Sequence, residues 1–223
     1  MKTRILVMGL ALTGVIAFAT SCTESNPITD EAVDLKSALT ETAGTTGAAT
    51  PPCPYYPGAA DSAAVATCCT ISGSVTADEA AGLLFMREEE KMARDVYTYF
   101  NEKYQLPVFK NIAKSESAHL AAVYNLIVGF GITDNSTNDP GVFTNETLRD
   151  LYQKLIVMGD VSVVEALKAG VLIEQTDISD LAAQLTEVEN SSVKTVYAHL
   201  LAASNIHLKA FTWNLSVRGV TYP

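Results

Sequence analysis

Four stretches of this chain carry apolar residues at alternating steps of three and four, the period of one helix face, and each run is interrupted near its middle by polar residues. The first reads Leu83, Met86, Glu90, Ala93, Tyr97, Phe100, and the second Ile112, Glu116, His119, Val123, Leu126, Phe130. The third reads Val163, Leu167, Gly170, Glu174, Asp177, Leu181, and the fourth Val193, Tyr197, Leu200, Ser204, His207, Phe211. Four such faces bury one another in a helix bundle, and polar interruptions at one depth then share one small volume. A buried carboxylate is costly unless it meets opposite charge or a metal ion. This requirement constrains fold and site together.

The boundaries of the helices are marked in the chain. Thr76 and Glu79 form a capping box ahead of a helix from Ala77 to about Tyr104. Pro107 opens a second, which runs to Phe130 with Gly131 as its stop. Ile132 to Phe143, rich in Asn, Asp, Thr and Gly, reads as a loop, and Asn145 to Met158 as a shorter amphipathic helix through Leu148, Leu151, Tyr152 and Leu155, stopped by Gly159. Ser162 and Glu165 make another capping box, and Asn190 caps a last helix that ends near Gly219. The prediction is all-α: four long helices, a tight link within each pair, and one long crossover carrying a short helix. That is the connectivity of ferritin-like four-helix bundles. A hydrophobic content of 48% is ample for its core.

The helical domain takes residues 76–223, and what precedes it is of another kind. Lys2 and Arg4 lead an apolar run from Ile5 to Phe18, which marks residues 1–21 as a bacterial export signal too short for a stable membrane span. Ala19-Thr20-Ser21-Cys22 resembles a lipoprotein signal-peptidase site, so Cys22 is the expected lipid-modified residue. The expected location is periplasmic, or on the outer membrane or cell surface, with the membrane reached through that anchor. Ordinary cleavage nearby, leaving a secreted protein, is the rival. Residues 22–75 read as a flexible tether of Thr, Ala, Ser, Gly and Pro with no lasting apolar period. Outside the cytoplasm disulfides persist, and Cys53 is placed to pair with Cys68 or Cys69; a zinc site there lacks a second Cys or His pair. Removing residues 1–21 takes away two positive charges and no negative one, shifting the net charge from -10 to -12. So acidic a surface repels phosphate backbones and excludes nucleic acid as a partner.

Glu116 and His119 lie one helical turn apart and can hold one cation together. Glu90, Glu116, Glu174 and Asp177 supply four negative charges, the amount two divalent cations neutralise. With His119 and His207 they form an oxygen and nitrogen donor set that suits iron or manganese, and that zinc can also occupy. Taken singly each residue has a plainer reading. Glu90 adjoins Glu88 and Glu89, so a one-residue change of phase would swap them. His119 alone is an ordinary core histidine, Glu174 and Asp177 an exposed acidic face, and His207 a donor to a carbonyl. It is their coincidence at one depth that favours a site. His199 lies off the seam and reads as surface.

Glu90-Lys91-Met92-Ala93, with Tyr97 seven residues after the glutamate, and Glu116-x-x-His119 resemble the first two metal-binding helices of rubrerythrin-type ferritin-like proteins. From about Leu83 to Tyr222 the chain is similar to a bacterial and archaeal family of secreted ferritin-like domains, domain-of-unknown-function family 2202. The stretches Met86 to Tyr97, Phe109 to His119, Ile173 to Leu181 and Ser204 to Phe211 carry the likeness. The resemblance implies Glu90 as a terminal carboxylate, Glu116 as a bridging one and His119 as the nitrogen ligand of one metal. For the other metal it implies Glu174 as terminal carboxylate and His207 as nitrogen ligand, with Asp177 as the extra acid one turn on. The fourth helix departs from the pattern, because Ser204 stands where Glu-x-x-His is usual. Loss of that carboxylate is expected to weaken the second position, so that metal binds first beside Glu116 and His119.

These readings lead to an enzyme or metal handler with one or two ions of iron or manganese, acting on a small-molecule oxidant or on metal ions. Tyr97 stands two turns from Glu90 and Tyr197 nearly three from His207, as hydrogen-bond donors, electron relays or simple packing. The rival is a non-enzymatic surface module. In it the acids are neutralised by Arg87, Lys91 or Arg94, or close around a structural metal. Bundles of this kind often pair, so a homodimer is an expected assembly, although no spare apolar stripe can be assigned to it.

Overall fold

The computed structural model describes residues 71–222, which form five helices and no strand. They are α1 (Ala77–Tyr104), α2 (Pro107–Gly129), α3 (Glu146–Asp160), α4 (Val163–Glu187) and α5 (Ser191–Ser216). The expected export signal and lipidation site at Cys22, with Cys53, Cys68 and Cys69, lie outside the described residues. None of the five helices is long and apolar enough to cross a membrane.

Local chemistry sets the ends of the helices. Thr76 Oγ1 accepts from the Glu79 N–H at 3.1 Å and Glu79 Oε2 accepts from the Thr76 N–H at 2.7 Å, the reciprocal capping box. Glu79 Oε1 also accepts from the N–H groups of Glu189 and Asn190, both at 2.8 Å, tying the start of α1 to the turn between α4 and α5. Gln105 ends α1 in the left-handed region with φ 53°, and Pro107 begins α2 two residues later. So short a link forces α1 and α2 antiparallel, and residues 188–190 do the same for α4 and α5. Ser162 accepts from the Glu165 N–H as expected, but Glu165 turns to Lys168 rather than back to the cap.

The helix α3 runs past Gly159 to Asp160. Gly159 is a contact rather than a stop: a Cβ there would lie 2.0 Å from the Phe100 ring, so its absence lets α3 seat against α1. Ile71 and Val75, in the stretch read as tether, pack against the bundle, and Asn190 Nδ2 donates to the carbonyls of Ser72 and Ser74.

The core has two apolar clusters. One holds Met92, Val96, Tyr97, Phe100, Phe109, Ile112, Phe211 and Leu215 with the inner face of α3. The other holds Leu83, Met86, Val123, Leu126, Leu181, Val193, Tyr197 and Leu200. Between them lies the layer of polar interruptions.

The helix α1 is buried continuously from Met86 to Ala93, because the crossover covers its outer face. Lys91 Nζ donates to the carbonyls of Asp139 at 2.7 Å and Val142 at 3.1 Å, pairs with Asp95 at 2.7 Å, and lies 4.2 Å from the Phe143 ring centre. Glu88 accepts from Thr144 N, Thr144 Oγ1 and Asn145 N at 2.6–2.9 Å. Arg87 pairs with Asp134 at 2.6 Å and donates to Ser136 and Asn138.

Candidate metal centre

The bundle brings five of the six predicted ligands into two overlapping triads, Glu90–Glu116–His119 and Glu116–Glu174–His207. Within each triad the ligand atoms lie no more than 4.8 Å apart. Glu116 is common to both. Its Oε2 lies 2.6 Å from His119 Nδ1 and its Oε1 2.9 Å from His207 Nδ1. His119 Nδ1 is also 3.2 Å from Glu90 Oε2, and His207 Nδ1 is 3.5 Å from Glu174 Oε2. All five residues are buried.

The outer edges of the two imidazoles meet one hydroxyl. Ser115 Oγ lies 3.0 Å from His207 Nε2 and 3.5 Å from His119 Nε2, and the rings stack at 5.5 Å. A hydroxyl that accepts from Nε2–H leaves Nδ1 with its lone pair turned toward the carboxylates, as a metal ligand requires. Tyr97 donates to Glu174 Oε1 at 2.6 Å and fixes the other side of that carboxylate.

The sixth predicted residue, Asp177, is buried beside the triads but belongs to neither. Ser204 donates to it across the α4–α5 contact. The glutamate missing at Ser204 is therefore replaced by a hydroxyl that holds an acid from the neighbouring helix. Each triad offers two carboxylates and one imidazole, so the expected difference between the two positions does not show in the donor count. His199 is exposed, as its place off the seam implies.

Two residues that border the triads without belonging to them escaped the sequence reading. Glu89 is buried next to Glu90, facing Asp177 and Asp180. Ser115 sits one residue off the α2 seam. The signal that points to it is its place one turn before His119.

Protons crowd this cluster. Burial, then the Asp177 charge, pushes the Glu90 carboxyl well above its ordinary range. Burial with the Glu116 charge lifts Glu174 to about 8, and burial lifts Asp177 to about 7 even against the hydrogen bond from Ser204. Burial pushes Glu116 upward too, but His119 and His207 outweigh it and hold Glu116 at about 2. Burial alone would lower both histidines; Glu116 and Glu90 instead raise His119 well up, and Glu116 with Glu174 raises His207 to about 9.

The residues fit a metal on direct observations. Glu89 Oε2, Glu90 Oε1 and Asp177 Oδ1 are buried and lack a hydrogen-bond partner, an arrangement native interiors rarely tolerate. A cavity of about 10 Å³, room for roughly one water molecule or ion, is lined by Glu89, Glu90, Glu116, Glu174 and Asp177. Among the described residues no lysine or arginine pairs with these five acids; Arg87, Lys91 and Arg94 are bound to Asp134, Asp95 and the crossover instead. The cluster can hold a metal ion.

Fold and centre together define an all-α bundle with a buried carboxylate–histidine core. The chain belongs to the family described as "Uncharacterized protein domain (DUF2202)", which matches residues 79–223. It is 44% identical over 149 residues, 66% of this chain and 80% of the relative, to "Uncharacterized protein MJ0754" of Methanocaldococcus jannaschii. The crystal structure of hypothetical protein MJ0754 from Methanococcus jannaschii DSM 2661 matches with a TM-score of 0.66 at 41% identity, covering 68% of this chain and 87% of that one.

Proposed function

We propose that this protein is a ferritin-like bundle whose centre holds two cations, iron or manganese, and that it handles oxidants or metal ions outside the cytoplasm, anchored by lipid at Cys22. The observation that carries the reading is the surplus of buried acid: five carboxylates line one cavity, three of their oxygens have no partner, and among the described residues no arginine or lysine answers them. Glu90, Glu116 and His119 would hold one cation and Glu116, Glu174 and His207 the other, with Asp177 adding the fourth negative charge that two divalent cations balance. A redox-active cation bound there supplies one-electron chemistry toward oxygen species.

The chain's own residues set the terms of that chemistry. Glu116 presents one oxygen to each half of the centre. Ser115, beside both Nε2 atoms, would favour the tautomer that offers Nδ1 inward once a metal displaces the proton there, and Tyr97 holds Glu174 in place. The two apolar clusters close the layer from either end and exclude bulk water. So small a cavity leaves no room for an organic substrate. Anchoring at Cys22 is supported by Lys2, Arg4 and the apolar run before it.

Elemental analysis of the protein from cells grown with iron and manganese, with assays of peroxide consumption and ferrous oxidation, tests the reading. Retained metal with turnover is expected. Metal without turnover assigns a structural ion instead, and protein without metal refutes the centre.

A further inference from the structure

We infer that the acidic residues of α4 and α1 form a cation inlet, leading from the surface at Asp180 past Glu89 and Asp177 to the triads. This rests on the reading of the centre as a metal site. Glu174, Asp177 and Asp180 stand at steps of three along α4. Three residues turn a helix by 300°, so each step falls about 60° short of a full turn while rising about 4.5 Å. The three carboxylates therefore wind around α4 rather than stacking on one face. Their exposure follows the winding, with Glu174 1% exposed, Asp177 6% exposed and Asp180 half-buried.

Glu89 of α1 faces this ladder. With Asp177 it lines the cavity that the triads share, and its carboxyl lies close enough to feel the charges of Asp177 and Asp180. An acidic row alone is commonplace, but this one is incompletely satisfied deep in the protein. Glu89 Oε2 and Asp177 Oδ1 have no hydrogen-bond partner, and neither does the hydroxyl of Tyr197, a wholly buried side chain of α5 close to Glu89. Three unanswered oxygens beside a graded line of carboxylates suit a divalent cation shedding its water in stages. Glu89 and Asp180 belong to neither triad, so the same cation is not retained there. Burial in low dielectric focuses the field of these acids and raises the local cation concentration.

The test is the rate of Co²⁺ uptake by the full chain after chelation, followed by the optical absorption of bound cobalt in stopped flow. Glu89→Gln and Asp180→Asn should each slow loading by about ten-fold while leaving the final stoichiometry unchanged. Glu146→Gln, which removes the same charge from an exposed position on α3, should load like wild type. Asp180 is half-buried, so its variant keeps the test open should Glu89→Gln fold poorly. Wild-type rates in Asp180→Asn, or equal slowing in Glu146→Gln, overturn the inlet. A lower stoichiometry in Glu89→Gln also overturns it, by making Glu89 a resident ligand. A wild-type chain that takes up no cobalt refutes the centre itself and the inlet with it, whereas normal final loading without slowing refutes the inlet alone.

Discussion

Two buried polar clusters lie on different sides of α1 within the stretch from Arg87 to Asp95, and they are built on opposite principles. On the crossover side Lys91 meets Asp95 and two carbonyls, Arg87 meets Asp134, and Glu88 accepts three hydrogen bonds from Thr144 and Asn145. On the bundle side Glu89, Glu90, Glu116, Glu174 and Asp177 gather around two histidines, with oxygens left over. The first cluster is complete in the protein alone and holds the crossover down. The second keeps itself together by retaining protons. Burial of charge thus distinguishes structure from site only when the partners are counted.

The largest expected effect comes from breaking the complete cluster. Lys91→Met leaves Asp95 and two carbonyls short of a partner and should destabilise the protein by about 3–5 kcal/mol in chemical denaturation. Glu90→Gln makes the matching change in the incomplete cluster. In metal-free protein burial and the Asp177 charge push the Glu90 carboxyl upward, toward the neutral form that the amide imitates, so the substitution should alter stability by no more than about 1 kcal/mol. Equal losses from the two substitutions would erase the distinction.

The second expectation concerns pH. Glu174 is raised from 4.5 to about 8 and His207 from 6.5 to about 9 in the folded, metal-free protein. A group whose folded pKa lies above its unfolded value contributes stability below the unfolded pKa and loses it as pH rises through the folded one. Metal-free protein should therefore show a falling unfolding midpoint from about pH 5 to pH 9. Glu116, lowered to about 2, acts in reverse and withdraws stability only in strong acid. Bound metal displaces these protons, so loaded protein should lose most of the neutral-to-alkaline decline and its affinity should rise with pH. A metal-free midpoint that climbs over that window contradicts the assignment.

The smallest effect is expected from the hydroxyl behind the histidines. Ser115→Ala should lower metal affinity by about 10–100-fold and redistribute the imidazole tautomers seen in ¹⁵N spectra, with little change in stability. His199→Ala, at an exposed position, should change neither.

Much of this was legible before the structure because the bundle obeys a simple period. Glu116, His119, Glu174 and His207 interrupt seams that are otherwise apolar, and a helix face that must pack shows such interruptions plainly. Glu89 was not separable in that way. On α1 the period assumes one dry face and one wet face, yet the crossover covers the outer face, and residues 86–93 are buried all round. Lys91 and Glu88 look solvated in sequence for the same reason; their partners are backbone groups some 50 residues away. Ser115 was hidden by its position off the seam, where only its reach to two rings gives it meaning. The role of Ser204 shows only in three dimensions, since its partner Asp177 comes from another helix.

The central claim is that the surplus of acid inside the bundle exists to hold metal, with Glu116 shared by both positions. A Co²⁺ titration of metal-free wild type against Glu116→Gln tests it most directly. The account predicts two bound equivalents in wild type, one for each triad, and loss of both in the variant, whose fold persists by circular dichroism. Unchanged cobalt binding in a folded Glu116→Gln protein, or none in wild type, would contradict it.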